Sequence, residues 1–220
     1  DGIISQCDRG YLHQLIRYNK ALSQRNSLLK SSVGKVLDVE MLSIWDEQLA
    51  ECGEVIMQKR AGFLAEFAEE FQSYYELLSL GRETVTLSYK VSVKEGDMLS
   101  ALRASLERDR IMTYTTTGAH RDDILLNIGD YPVKKIGSQG QKKTFLIALK
   151  LAQYAWLHRM SGVKPLLLLD DIFDKLDADR VNQIVAIVRG DMFGQVFITD
   201  TNREHIDDIL KLQHTEYKLF

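Results

Sequence analysis

The sequence predicts an α/β fold, with a helical arm or lid lobe of long antiparallel helices and small β elements joined to a βαβ portion of a mostly parallel sheet. Three observations carry this. Leu166, Leu167, Leu168 and Leu169 run on without alternation and end in Asp170 and Asp171, the pattern of a strand covered on both faces between helices. A helical stretch and a second short strand, Gln195-Val196-Phe197-Ile198-Thr199, complete a strand-helix-strand unit within residues 166–199, which is right-handed by rule. Met41, Trp45, Leu49, Cys52, Ile56, Phe63, Phe67, Phe71, Tyr74 and Leu78 hold one stripe at helical spacing. At the rise of an α-helix that stripe is about 55 to 60 Å long, more than a compact domain needs.

With 220 residues, 45% of them hydrophobic, the chain is long enough for one good core or two small lobes. The formal charge of -3 gives no global attraction to nucleic acid, so any such contact rests on local patches. Cys7 and Cys52 lack metal-ligand or redox spacing and the five histidines are scattered, which points to a reduced cytosolic setting and away from zinc. The apolar runs fall short of a membrane span, and the first residues carry no export signal. The chain has no initiator Met and stops at Tyr217-Lys218-Leu219-Phe220, which reads as a strand cut short within something longer.

In chain order, Tyr11, Leu15, Tyr18, Leu22 and Leu29 mark a first helix whose interleaved Arg17, Lys20, Arg25 and Lys30 make a basic face. Residues 31–34 supply turn chemistry, and Asp38 is placed to cap the long second helix. The polar face of that helix carries Glu47, Glu51, Glu54, Glu66, Glu69 and Glu70. Opposite charge predicts that the two helices form an antiparallel hairpin. Gly53 and Gly62 each cost about 1 kcal/mol inside a helix and are candidate bends; the aromatic stripe reads as ordinary core packing. Gly81 ends the helix, and residues 84–91 alternate as a half-exposed strand. A shorter helix follows from Asp97 to about Met112, and residues 124–128 with 131–136 suggest a hairpin around Gly129-Asp130.

Ser138-Gln139-Gly140-Gln141-Lys142-Lys143 opens the next helix. Ser138 and Gln141 at this spacing are explained by a capping box alone. A functional reading adds exposed N–H groups and the helix dipole as a site for an anion such as phosphate, with the lysines contributing charge or simply being solvated. Asp170 and Asp171 close the leucine strand, where ligands collect in parallel sheets, and the βαβ unit brings Thr199 to the same rim. Neighbouring strand residues point to opposite faces, so the two acids have different jobs. Against apolar surroundings they require a cation or a polar partner; the other reading is that they are solvated or cap a helix.

The order Ser138-Gln139-Gly140-Gln141, helix, residues 166–171, Leu176-Asp177 and Phe197-Ile198-Thr199 resembles the signature, Walker B, D-loop and switch segments of ABC-type ATPases. More narrowly it is similar to the RecF family. Gly118-x-His120-Arg121-x-Asp123, the adjacent Asp-Asp, and Tyr11-Leu12…Tyr18…Gln24-Arg25-Asn26…Leu28-Leu29 favour that family over SMC-type relatives. The resemblance implies that residues 1–162 are the arm or lid lobe with the signature helix, and 163–220 the C-terminal part of the ATPase lobe. Asp170 would hold magnesium through water, and Asp171 would orient or deprotonate the attacking water. Thr199 would stand at the switch position. Ser138, Gln139, Gly140 and Gln141 would reach ATP bound by the other subunit of a head-to-tail dimer, with Asp177 beside that interface.

The same resemblance implies an ATP-dependent, cytoplasmic homodimer that binds double-stranded DNA near single-strand junctions and works with other recombination mediators in gap repair, with no membrane partner. Lys134, Lys135, Lys142, Lys143 and the basic face of the first helix are candidate phosphate contacts, unless that face is solvated or paired within the chain. Asp171 in place of the more usual Glu suggests slow turnover. Ala119 stands where the family carries Pro, which leaves His120 and Arg121 between a DNA contact and a structural role. No G-x-x-x-x-G-K-[ST] occurs, so the lysine and hydroxyl that cradle phosphates are missing. The chain is therefore expected to be a C-terminal portion that is inactive alone. An SMC-like structural DNA clamp and a metal-dependent phosphohydrolase using Asp170 and Asp171 directly are the alternative functions.

Overall fold

The computed structural model describes residues 1–171, 176–199 and 218. The terminal residues 217, 219 and 220 lie outside the described residues. The chain divides into two compact units, Asp1–Ala65 with Ser88–Leu125, and Glu66–Leu87 with Leu126–Phe220. Residues 139–161 and the leucine strand fall in the same unit.

In the first unit, α1 (Gly2–Cys7) precedes α2 (Arg9–Ser31). Asp8 caps α2 by accepting from the Tyr11 amide at 2.9 Å. Asp38 does the same for Met41 at 2.9 Å and starts α3 (Val39–Ser79). Tyr11, Tyr18 and Ala21 of α2 pack with Leu49, Cys52 and Ile56 of α3, and Met98 and Leu102 join the same core. The ion pairs Arg25–Asp46, Arg17–Glu51 and Lys59–Asp8 step in opposite directions along the two helices, which is the expected antiparallel hairpin.

Helix α3 is one element of 41 residues, so neither Gly53 nor Gly62 ends it. A Cβ at Gly53 would come within 3.0 Å of Met98 Cε and 3.2 Å of Tyr18; this glycine gives the core room. The helix expected from Asp97 to Met112 is two, α4 (Met98–Ala104) and α5 (Leu106–Met112). Ser105 lies between them, its hydroxyl bonded to Leu102 O at 3.0 Å and Asp109 Oδ2 at 3.1 Å, while the bonds Ser105 N to Ala101 O and Asp109 N to Ser105 O carry the backbone ladder across the junction.

In the second unit the later half of α3 contributes to the core. Phe71 stacks on Phe145 with centroids 4.6 Å apart and Tyr75 meets the same ring at 5.6 Å. The strands β1 (Val85–Lys90), β2 (Asp123–Ile128) and β3 (Tyr131–Pro132) form a sheet in that order. The β2–β3 hairpin exists, pairing Ile128 with Tyr131 around Gly129 at φ +55, a conformation glycine adopts freely. Its second strand is far shorter than expected, because Pro132 has no N–H for a ladder and suits a helix start; Val133–Ile136 form α6.

Helix α7 (Gln139–Ser161) leads to β4 (Leu167–Leu169), and α8 (Ala178–Val188) leads to β5 (Val196–Ile198). The two strands are parallel, Leu167 opposite Val196 and Leu169 opposite Ile198. The expectation that both faces of β4 are covered is corrected. Leu167 and Leu169 are 5% and 4% exposed, whereas Leu166 and Leu168 are 61% and 68% exposed. Among the described residues one face of the pair is covered, and Phe197 on β5 is also exposed. No helix among the described residues is long and apolar enough to cross a membrane.

Candidate functional site

The parallel register of β4 and β5 brings Asp170, Asp171 and Thr199 together just past the strand ends. The ladder continues beyond the assigned strands: the Thr199 amide donates to Leu169 O at 3.0 Å and the Asp171 amide to Thr199 O at 3.0 Å. The Thr199 hydroxyl donates to Asp170 Oδ1 and stands 3.1 Å from the Asp171 amide. Asp171 has φ +47, a left-handed conformation that Asp and Asn tolerate best among residues with a Cβ. Lys143 Nζ donates to the Asp171 carbonyl at 2.5 Å, tying the first turns of α7 to the end of β4.

Both acids are exposed, so the expectation of apolar surroundings does not hold, although Asp170 does take a polar partner. One Asp170 oxygen holds the threonine hydroxyl and the other has no protein partner among the described residues. A carboxylate oxygen held in this way beside a hydroxyl suits a hard cation that keeps its water, as magnesium does. Among the described residues no three or more His, Cys, Asp or Glu side chains gather as a metal cage.

Ser138 caps α7. Its hydroxyl accepts from the Gln141 amide at 3.1 Å, and the Gln141 side-chain carbonyl accepts from the Ser138 amide at 2.7 Å, a complete capping box. The turn faces outward: Ser138 and Gln139 are exposed, Gly140 and Gln141 half-buried. Asp177 caps α8, accepting from the Arg180 amide and from its guanidinium, both at 2.9 Å. Sequence reasoning passed over Glu83 and Arg180, which bond each other at 3.1 Å; residues 97 positions apart give no local signal.

The Gly118-x-His120-Arg121 segment of the first unit is held from within. Gly118 has φ +130, and a Cβ there would lie 2.7 Å from the Tyr18 hydroxyl, so only glycine fits. His120 Nδ1 is 2.8 Å from Tyr18 Oη and Nε2 is 3.1 Å from Thr115 O. A carbonyl can only accept, so Nε2 carries the proton and Tyr18 donates to Nδ1. Burial lowers the His120 pKa and pushes the Tyr18 phenol up to about 12. Arg121 donates to Thr115 O at 3.1 Å and lies over the Tyr114 ring. The unheralded Asp122 accepts from Tyr89 at 2.5 Å and Ser92 N at 2.7 Å and pairs with Arg60. This is a structural junction.

The expected basic face of α2 is broken up. Arg25 is fully buried, with Nε 2.6 Å from Asp46 and Nη1 2.6 Å from Asp109. Arg17 pairs with Glu51 at 3.3 Å, and Lys20 and Lys30 remain exposed.

No family model matches the chain. It is 54% identical over 221 residues to a Phocaeicola vulgatus protein named DNA replication and repair protein RecF, a match covering all of this chain and 59% of that protein. Proteins of the same name from Bacteroides thetaiotaomicron and Flavobacterium johnsoniae are 52% and 48% identical, again across the whole chain, which covers 59% and 62% of them. The chain thus spans about three-fifths of the length of the curated relatives it matches. A solved structure described as the recombination mediator protein RecF-ATPrS in the RecFOR pathway superposes with a TM-score of 0.79 at 31% identity, covering 93% of this chain and 57% of that one. A second, described as RecF-ATP, gives 0.78 at 32% identity, with 92% and 56% covered.

Proposed function

This chain belongs to the RecF family of DNA replication and repair proteins, and on that premise we propose that it carries, within the complete protein, half of an ATPase pocket closed between two copies. The observation that supports this most is the rim at the ends of β4 and β5, where Thr199 holds the Asp170 carboxylate beside Asp171. Asp170 is the acid that would hold magnesium, and Thr199 fixes its orientation. Asp171 accepts the proton of the attacking water. From the other copy, Ser138, Gln139, Gly140 and Gln141 present backbone N–H groups and a hydroxyl to the nucleotide phosphates, and Asp177 lies beside that contact.

The chemistry is phosphoryl transfer from ATP to water, in which positioning and charge stabilisation carry most of the rate. Magnesium, when bound, neutralises charge developing on the phosphates. An Asp base is one methylene shorter than Glu, which favours slow turnover suited to a timed clamp on DNA. ATP-dependent dimerisation, binding of double-stranded DNA near single-strand junctions and work with other recombination mediators in the cytoplasm belong to the same proposal. The solved relatives described as RecF-ATP and as members of the RecFOR pathway support it.

The test is Asp171→Asn in the complete protein. Asn accepts the left-handed backbone at this position but cannot act as the base, so turnover falls by at least about a hundredfold, the scale of general-base catalysis, with ATP binding retained. Turnover within about twofold of the unaltered protein overturns the assignment.

A further inference from the structure

The Ser138 turn and the Asp177 turn are far apart in sequence, yet one unbroken chain of side chains joins them. Gln141, having accepted the Ser138 amide with its carbonyl, donates its amide to Glu83 Oε1 at 3.2 Å. The same Glu83 oxygen accepts from Arg180 Nη2 at 3.1 Å, and Arg180 Nη1 reaches Asp177 Oδ2 at 2.9 Å. Glu83 Oε2 takes the Tyr75 hydroxyl, which orients the carboxylate from behind. The Glu83 and Arg180 side chains are each 15% exposed, so solvent screens their pairing less than it screens a surface ion pair.

A capping box does not require any of this. Glu serves as well as Gln at its third position, but a Glu at 141 would set a second carboxylate against Glu83. Gln141 is the residue that both closes the box and donates onward. By contrast, Arg82–Asp179 joins the same two segments at 3.1 Å with both side chains more than half exposed, and touches neither Gln141 nor Asp177.

We propose that Glu83 and Arg180 are positioning residues that lock the Ser138 turn to Asp177, so that the two segments meeting the neighbouring copy are presented as one rigid surface. This rests on the reading of those segments given under Proposed function. Glu83 and Arg180 act only through Gln141 and Asp177.

The experiment measures ATP turnover and ATP-dependent association of the complete protein. Glu83→Gln and Arg180→Met each lower kcat about tenfold and weaken association, while KM for ATP stays within about twofold, the mark of a lost transition-state arrangement and not of lost nucleotide binding. Gln141→Glu behaves likewise. Arg82→Ala changes neither readout. The coupling is overturned if Glu83→Gln and Arg180→Met leave turnover and association within about twofold of the unaltered protein. Ser138→Arg separates the two ideas: if it leaves association and turnover intact, the reading of the turn fails and the coupling with it; if it abolishes both while Glu83→Gln does not, only the coupling fails.

Discussion

The Thr199 hydroxyl donates to Asp170 Oδ1 across the ends of two parallel strands, so the orientation of an exposed carboxylate depends on a residue 29 positions away. Removing that hydroxyl by Thr199→Val lowers turnover of the complete protein about fivefold to tenfold, the scale of one hydrogen bond worth about 1 kcal/mol, and raises the magnesium concentration needed for half-maximal rate. Thr199→Ser keeps both. Equal magnesium titrations for Val and Ser would remove Thr199 from the site.

Arg25 is a structural cation. It pairs with both Asp46 and Asp109 in a buried cluster, and its Nη1 also donates to Thr115 at 2.9 Å. Arg25→Met leaves two buried carboxylates uncompensated and costs about 3 to 5 kcal/mol; Lys20→Gln, on the exposed side of the same helix, stays within about 0.5 kcal/mol. Denaturant unfolding of the two variants checks the difference. Comparable stabilities would mean the cluster contributes nothing.

His120 makes stability depend on pH in a defined direction. Burial lowers its pKa in the folded protein below the ordinary 6.5, so between those two values the unfolded chain binds more protons. The stabilisation is complete above about pH 6.5 and is lost as the pH falls toward the folded-state value. Thermal denaturation between pH 7.5 and pH 5 shows a steeper acid-side decline for the unaltered protein than for His120→Gln. Parallel curves would contradict a buried neutral imidazole.

The isolated 220-residue chain has no phosphate-loop lysine. We predict that it binds ATP weakly and releases no phosphate from it. Magnesium-dependent release of phosphate by the purified chain, abolished in Asp171→Asn, would contradict this.

Much of this was legible in the sequence where the signal is local. Tyr11, Tyr18 and Leu29 on one helix, Leu49 and Ile56 on the next, and the Ser138–Gln141 spacing each state their own period or cap. The parallel strands, and so the meeting of Asp170 with Thr199, followed from the βαβ length. What stayed hidden depends on partners distant in sequence. Arg25 has the spacing of a surface cation and becomes a core residue only when Asp109, 84 positions on, is folded against it. Glu83 and Arg180 are ordinary charges until tertiary structure joins them. The run of four leucines implied two covered faces, yet Leu166 and Leu168 are exposed, because periodicity reports what a strand is suited to contact and not which segment supplies the contact.

Mixing two variants of the complete protein that keep association and lose turnover, Ser138→Ala and Asp171→Asn, tests most directly whether the pocket is built from two copies. Random pairing makes half of the dimers mixed, and each mixed dimer holds one intact pocket, so ATP turnover returns to about a quarter of that of the unaltered protein. A mixture no more active than the average of its two components would show that Ser138 and Asp171 serve the same copy, and that the pocket does not form between molecules.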